Sequence, residues 1–176
     1  GTVAGAWIIS DENFFPSSNL INFLKLRASY GENGNQAVDP YLSIAKFTER
    51  NFVDGSNSLP GVVPENLANT ALSWETSRSL NVGMDFGLVN NSVSGSLNYF
   101  HTNTTDLLLN RTISPVQGIG SITDNVGETE NTGFEMVVTT TQEIGGLVTW
   151  NANFNFTSIR NEIIYLGRGE NGEVDD

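Results

Sequence analysis

Between Leu147 and Ile159 the chain alternates without a break. Val148, Trp150, Ala152, Phe154 and Phe156 fall on one parity, and Thr149, Asn151, Asn153, Asn155 and Thr157 on the other. A period of two is that of a β-strand with one apolar and one polar face. The polar face is an uncharged row of Asn and Thr, whereas a sheet wetted by bulk water usually turns Lys and Glu outward. Such a row suits the inside of a wide barrel whose outside meets lipid.

The rest of the chain repeats this pattern. Thr2 to Ile9 reads as a strand containing Trp7, and Asp11 and Glu12 are placed to open a short helical turn. Phe23 to Tyr30 sets Leu24, Leu26, Ala28 and Tyr30 against Lys25, Arg27 and Ser29, a second strand that Gly31-Glu32-Asn33-Gly34-Asn35 is expected to end. An irregular segment to about Thr70 follows, with Pro40, Pro60, Pro64 and room for a short strand within Tyr41 to Phe47. Trp74, Leu80, Val82, Met84, Phe86 and Leu88 then share a parity, and Asn90-Asn91 supplies the left-handed residues of a tight hairpin. Val93, Gly95, Leu97 and Tyr99 form the return strand, which can run on to Leu109. A second long loop is expected from Asn110 to Asn125, then a strand through Phe134, Met136 and Val138, and a short turn at Glu143-Ile144-Gly145-Gly146.

The connections are as informative as the strands. After a moderate first one at 10–22, they run long (31–70), short (89–92), long (110–126) and short (143–146). The reading is therefore all-β: six or seven strands of an antiparallel up-and-down transmembrane barrel, with long loops at one end and tight turns at the other. Strands of about 9–11 residues are what a tilted barrel strand needs to cross a bilayer. Residues 31–70 and 110–126 are then expected outside the cell, with Trp74 toward the outer rim, Trp150 toward the periplasmic rim, and 167–176 a mobile polar loop or tail.

Composition removes other classes. With no Cys there is neither a disulfide nor a thiolate metal site. A formal charge of −12 with eight Lys and Arg leaves nothing to neutralise a phosphate backbone, which argues against nucleic acid as a partner. No secretion signal opens the chain, and no apolar run of about 18 residues offers a membrane-spanning helix.

Candidate chemical groups are few. His101 is the only His, and without Cys or a nearby Ser and Asp it makes no triad. Glu128, Glu130 and Glu135 could be paired carboxylates for glycoside hydrolysis, but nothing fixes their separation. Gly118-Ile119-Gly120-Ser121 lacks the Lys and following helix of a phosphate loop. Glu170, Glu173, Asp175 and Asp176 lack the ligand spacing of a calcium loop. Asn103-Thr104-Thr105 and Asn110-Arg111-Thr112 are formal glycosylation sequons, which mean little in a barrel of the kind the strands suggest. Trp7, Trp74 and Trp150 could stack on sugars, although Trp74 and Trp150 share parity with aliphatic residues. The expectation is a non-enzyme with no catalytic, cofactor or metal site and with substrate-binding residues unassigned.

Several blocks in order resemble a known family. Leu24-Lys25-Leu26-Arg27-Ala28-Ser29-Tyr30-Gly31 with Asn33-Gly34-Asn35, Leu72-Ser73-Trp74-Glu75-Thr76, and Asn81-Val82-Gly83-Met84-Asp85-Phe86-Gly87 are similar to segments of the SusC/RagA-type TonB-dependent outer-membrane transporters. Asp106-Leu107-Leu108-Leu109, Asn125-Val126-Gly127-Glu128-Thr129-Glu130-Asn131-Thr132-Gly133-Phe134-Glu135 and Trp150-Asn151-Ala152-Asn153-Phe154-Asn155-Phe156 continue the order. The resemblance spans roughly Phe23 to Ile159. It implies part of a plugged barrel of about 22 strands, with the plug and the TonB-gripping motif outside this sequence. It also implies a bacterial outer-membrane location, import of a glycan or oligopeptide driven through TonB, and a SusD-like surface lipoprotein as lid.

A fragment reading has a physical basis too, because six or seven strands cannot close a wide barrel and open edges are not viable in hydrocarbon. The competing reading is a secreted β-sandwich, a carbohydrate-binding or adhesin module burying Phe154, Phe156, Leu80 and Met84 between two sheets. The neutral Asn and Thr row and the alternation of long and short connections argue against it.

Overall fold

A computed structural model describes residues 1–16, 18–35, 41–114, 119 and 121–167. Six strands form one antiparallel sheet. They are β1 (Thr2–Ile8), β2 (Ile21–Asn35), β5 (Glu75–Leu88), β6 (Val93–Thr112), β7 (Ser121–Ile144) and β8 (Val148–Tyr165), adjacent in the order β1-β2-β5-β6-β7-β8. The intervening β3 (Phe47–Asp54) and β4 (Asn57–Pro64) pair only with each other. Apart from that hairpin, each strand lies beside the next in sequence, as in an up-and-down wall.

Among the described residues this sheet buries almost no apolar surface, and the sandwich reading is overturned. Ile119 is the one buried hydrophobic residue among those described, while Trp7, Leu80, Phe154 and Phe156 are exposed. A sandwich would hide one face of each sheet from water. This sheet exposes both.

The strands run longer than their alternation suggested, and three sequence boundaries are corrected. Gly31 to Asn35 continues β2 rather than ending it. Thr2 pairs with Gly31, and the Glu32 amide donates to the Gly1 carbonyl at 2.8 Å, so ladder bonds outweigh the turn-forming composition. Tyr41 to Ser43 is a turn, and the strand expected there begins only at Phe47. Within 110–126, β6 runs on to Thr112 and β7 already starts at Ser121, so the loop expected there is shorter at both ends. The mobile tail expected at 167–176 lies outside the described residues except for Gly167.

Two compact units make up the chain. The first comprises Gly1–Asn33, Ser77–Asn103 and Thr129–Glu162. It holds the 3-10 turn Ile9–Asp11, the tight turn 89–92 and the glycine turn at Gly145 and Gly146, whose φ values of 62° and 67° suit Gly. Val89, Asn90 and Asn91 all have positive φ, and the Val89 amide donates to the Leu20 carbonyl at 3.0 Å.

The second unit comprises Gly34–Thr76, Thr104–Glu128 and Ile163–Asp176. Asn125 ties its elements together. Its side-chain oxygen accepts from the Ser73 amide at 2.8 Å, and its NH2 donates to the carbonyls of Ser73 and Asp106 at 2.9 and 2.7 Å. Asp106 has a φ of 59° within β6, the conformation of a bulge residue. Trp74 packs across Gly34, where an added Cβ would lie 3.2 Å from the indole ring.

Candidate functional site

In the first unit the two faces of the sheet carry different chemistry. One is a hydrogen-bonded polar surface. Thr141 donates to the Asn151 side-chain oxygen at 2.8 Å, Asn153 donates to the Thr139 hydroxyl at 3.1 Å, and Ser79 shares a bond of 2.9 Å with Thr102. The neutral row noted in β8 is thus one edge of a cross-strand network. Each pair satisfies part of the hydrogen-bonding capacity of its side chains and leaves the remainder facing outward.

The charged part of this face was not legible in advance. Arg27 on β2 donates through one terminal nitrogen to Asp85 on β5 at 2.9 Å and to Asn98 on β6 at 2.8 Å, while its Nε is buried without a partner. Arg27 and Asn98 also border a recess of about 650 Å³ lined by Ala4, Ala6, Ser29, Gly83, Asn81, Phe100 and Glu135. Small residues leave space there that larger ones would fill. The recess offers a guanidinium, a carboxylate, a hydroxyl, amides and one ring face, a set that hydrogen-bonds and stacks.

The opposite face is apolar, then charged. Phe134 and Phe156 meet at a centroid distance of 6.5 Å, and Trp7 packs against Phe14 at 6.1 Å while its indole N–H donates to Glu12 at 2.9 Å. Along β8 the same parity passes from Phe154 and Phe156 to Ser158, Arg160 and Glu162. Charged and polar pairs occupy this parity on other strands too. Arg78 meets Glu32 at 2.9 Å, Arg160 meets Glu162 at 2.9 Å, and His101 bonds Thr132 at 3.1 Å with Glu130 at 3.7 Å. His101, Glu130, Thr132, Arg160, Glu162 and Tyr99 line a second recess of about 380 Å³.

The sequence candidates fall into place on these faces. Glu130 and Glu135 are five positions apart on one continuous strand, so they point to opposite faces and cannot flank one bond. Glu128 lies on β7 in the second unit. Among the described residues no group of three His, Asp or Glu could hold a metal ion. Gly118 and Gly120 of the glycine-rich piece, and Glu170, Glu173, Asp175 and Asp176, lie outside the described residues. Trp150 stands on the apolar face of β8, and neither Trp7 nor Trp150 borders the polar recess.

A face that is apolar and exposed, backed by a hydrogen-bonded polar face, is the wall of a membrane barrel. The family profile for the TonB dependent receptor-like β-barrel matches residues 1–175. The chain belongs to this family. It is of the SusC/RagA type. TonB-dependent receptor P3 of Formosa agariphila is 37% identical over 170 residues, 97% of this chain and 17% of that protein. TonB-dependent receptor SusC of Bacteroides thetaiotaomicron is 29% identical over 182 residues, covering 98% of this chain and 18% of its own length. Among solved structures, the RagAB peptide importer in its closed-closed state superposes with a TM-score of 0.82 at 29% identity, over 97% of this chain and 18% of that one. Its open-open state gives 0.79 over 92% of this chain. The chain thus spans less than a fifth of these relatives. TonB-dependent receptor barrels are outer-membrane proteins of Gram-negative bacteria, and these homologues are transporters and receptors.

Proposed function

We propose that this chain forms part of the barrel wall of a TonB-dependent nutrient importer in the bacterial outer membrane. The reading rests above all on a two-faced sheet that, among the described residues, has almost no buried apolar side chain. On one side Trp150, Phe154 and Phe156 stand exposed, as lipid contact requires. On the other, Asn and Thr side chains bond one another and leave weak, neutral contacts for a passing solute. A hydrated solute crosses such a surface by exchanging water for short-lived hydrogen bonds, with no covalent step.

The charges that follow the apolar row fit the end of the hydrocarbon layer, since Arg and Glu are costly at mid-bilayer and tolerated near its surface. We place the segments 31–70 and 110–126 on the extracellular side. The solute is a bulky polar molecule, a glycan or an oligopeptide. A SusD-like surface lipoprotein captures it, and energy arrives through TonB acting on other parts of the longer protein. Similarity to SusC and to the RagAB peptide importer supports this assignment.

The experiment is fractionation of cells making the full-length protein, followed by uptake of labelled oligosaccharides and oligopeptides with and without TonB. Extraction from the outer membrane only by detergent, with TonB-dependent uptake of either solute, is the expected result. A soluble protein, or uptake indifferent to TonB, would overturn the reading.

A further inference from the structure

On the apolar face, the aromatic row of β7 and β8 gives way to the recess of about 380 Å³, which three neighbouring strands build. Tyr99 and His101 come from β6, Glu130 and Thr132 from β7, and Arg160 and Glu162 from β8. The bonds of Thr141 to Asn151 and of Asn153 to Thr139 set the register of β7 on β8. Carried along the ladder, that register brings Thr132 opposite Arg160 and Glu130 opposite Glu162. Glu130 and Thr132 share the parity of Phe134, and Arg160 and Glu162 that of Phe156. The recess therefore opens where the hydrocarbon-facing row ends, and lipid is its neighbour.

The permanent charges in the recess are of both signs. One guanidinium, that of Arg160, stands among two carboxylates, those of Glu130 and Glu162. Like charges on facing positions of a ladder repel, so the two Glu side chains are placed to receive a further positive group. Arg160 meets Glu162 at 2.9 Å but keeps 78% of its side-chain surface exposed, open to a negative group beside it. A plain anion would meet the excess of carboxylate, and a plain cation would leave Arg160 unused. A headgroup that carries a phosphate and a primary ammonium a few bonds apart satisfies both. Tyr99 lines the same recess at the edge of the apolar row, where a phenol keeps its ring in the apolar layer and its hydroxyl in the polar one.

We propose that this recess seats the headgroup of a phosphoethanolamine lipid. The ammonium lies between Glu130 and Glu162, the phosphate lies against Arg160, and the acyl chains run along Phe134 and Phe156. An ammonium offers three N–H donors to the carboxylates, whereas the trimethylated nitrogen of phosphatidylcholine offers none. The inference rests on the barrel-wall reading and adds to it a lipid that fixes the depth of β6, β7 and β8 in the bilayer.

The test uses the full-length barrel in detergent, titrated with phosphatidylethanolamine, phosphatidylcholine and phosphatidylglycerol of the same acyl chains, with retained lipids counted by native mass spectrometry. The wild type should retain its first phosphatidylethanolamine at about ten-fold lower concentration than either other lipid. Glu130→Gln combined with Glu162→Gln should bring phosphatidylethanolamine to the level of phosphatidylcholine. Arg160→Gln should weaken both of these lipids, and Glu12→Gln, outside the recess, should change neither. Resistance to protease verifies folding of each variant. Equal retention of the three lipids by the wild type would overturn the proposal, as would a preference that survives the double substitution. Tighter retention of phosphatidylglycerol would make the recess a plain anion site, and binding of free phosphoethanolamine as tight as that of the lipid would assign it to a soluble solute. Loss of a co-purifying protein from Arg160→Gln with lipid retention unchanged would assign it to a protein contact. None of these outcomes bears on uptake, so the importer reading survives them, whereas a protein soluble without detergent would remove both.

Discussion

Arg27 reaches Asp85 across 58 residues of sequence at 2.9 Å, and the same nitrogen bonds Asn98. The arrangement ties β2, β5 and β6 together on the polar face. Both charges are partly exposed, at 40% and 28% of their side-chain surface, so solvent screens their attraction. A double-mutant cycle with Arg27→Ala and Asp85→Ala, read by denaturant unfolding of the full-length protein in lipid vesicles, should give a coupling below about 1 kcal/mol. A value several times larger would show that the pair is shielded from water in the whole barrel.

Gly133 on β7 is buried, and a Cβ there would run into the ring of Phe100 on β6. Gly133→Ala should therefore destabilise the barrel by about 1–3 kcal/mol. Adding Phe100→Ala should make the glycine substitution nearly harmless, because the obstacle is gone. A cost for Gly133→Ala that persists without the ring would count against steric exclusion as the cause.

Depth along β8 can be read by a lysine scan. Phe154→Lys should cost roughly 2–4 kcal/mol if that residue faces mid-bilayer, and Ser158→Lys, next to Arg160 on the same face, about 0–1 kcal/mol. Refolding into vesicles measures both. Equal penalties would mean that the two residues share one environment, against a hydrocarbon boundary between them.

The turn into β6 holds Val89 at a φ of 52°. The left-handed region costs a β-branched residue about 1–2 kcal/mol, and Asn tolerates it better. Val89→Asn should raise stability by about 1 kcal/mol, seen as a higher denaturant midpoint with an unchanged slope. No gain would indicate that contacts of the Val89 side chain offset the strain.

Alternation made the strands legible, because parity is a local property of the sequence. Leu80 to Leu88 and Val148 to Phe156 could be assigned to one face without any knowledge of their neighbours. Strand ends were another matter. Gly31 to Asn35 has the composition of a turn, yet it stays extended because β1 and the Asn35 to Glu75 bond at 2.9 Å hold it. The hairpin of β3 and β4 was missed for the converse reason, since Pro60 and Pro64 read as loop residues and only the pairing shows that they sit on an edge that tolerates proline. Arg27, Asp85 and Asn98 lie too far apart in sequence for any spacing argument to join them. Their own strands predicted the face of each, and the order of strands brought them together.

A sheet that buries one hydrophobic residue among those described borrows its stability from its surroundings. Unfolding a globular domain moves its interior into water and raises the heat capacity by about 12–15 cal/mol/K per residue. Here the exposed ring of Phe154 would keep hydrocarbon around it while the backbone loosened within the bilayer, and the Asn and Thr side chains would stay wet throughout. Calorimetry of the full-length barrel in membranes should therefore show a per-residue increment well under that of a soluble domain, with a flatter dependence of stability on temperature.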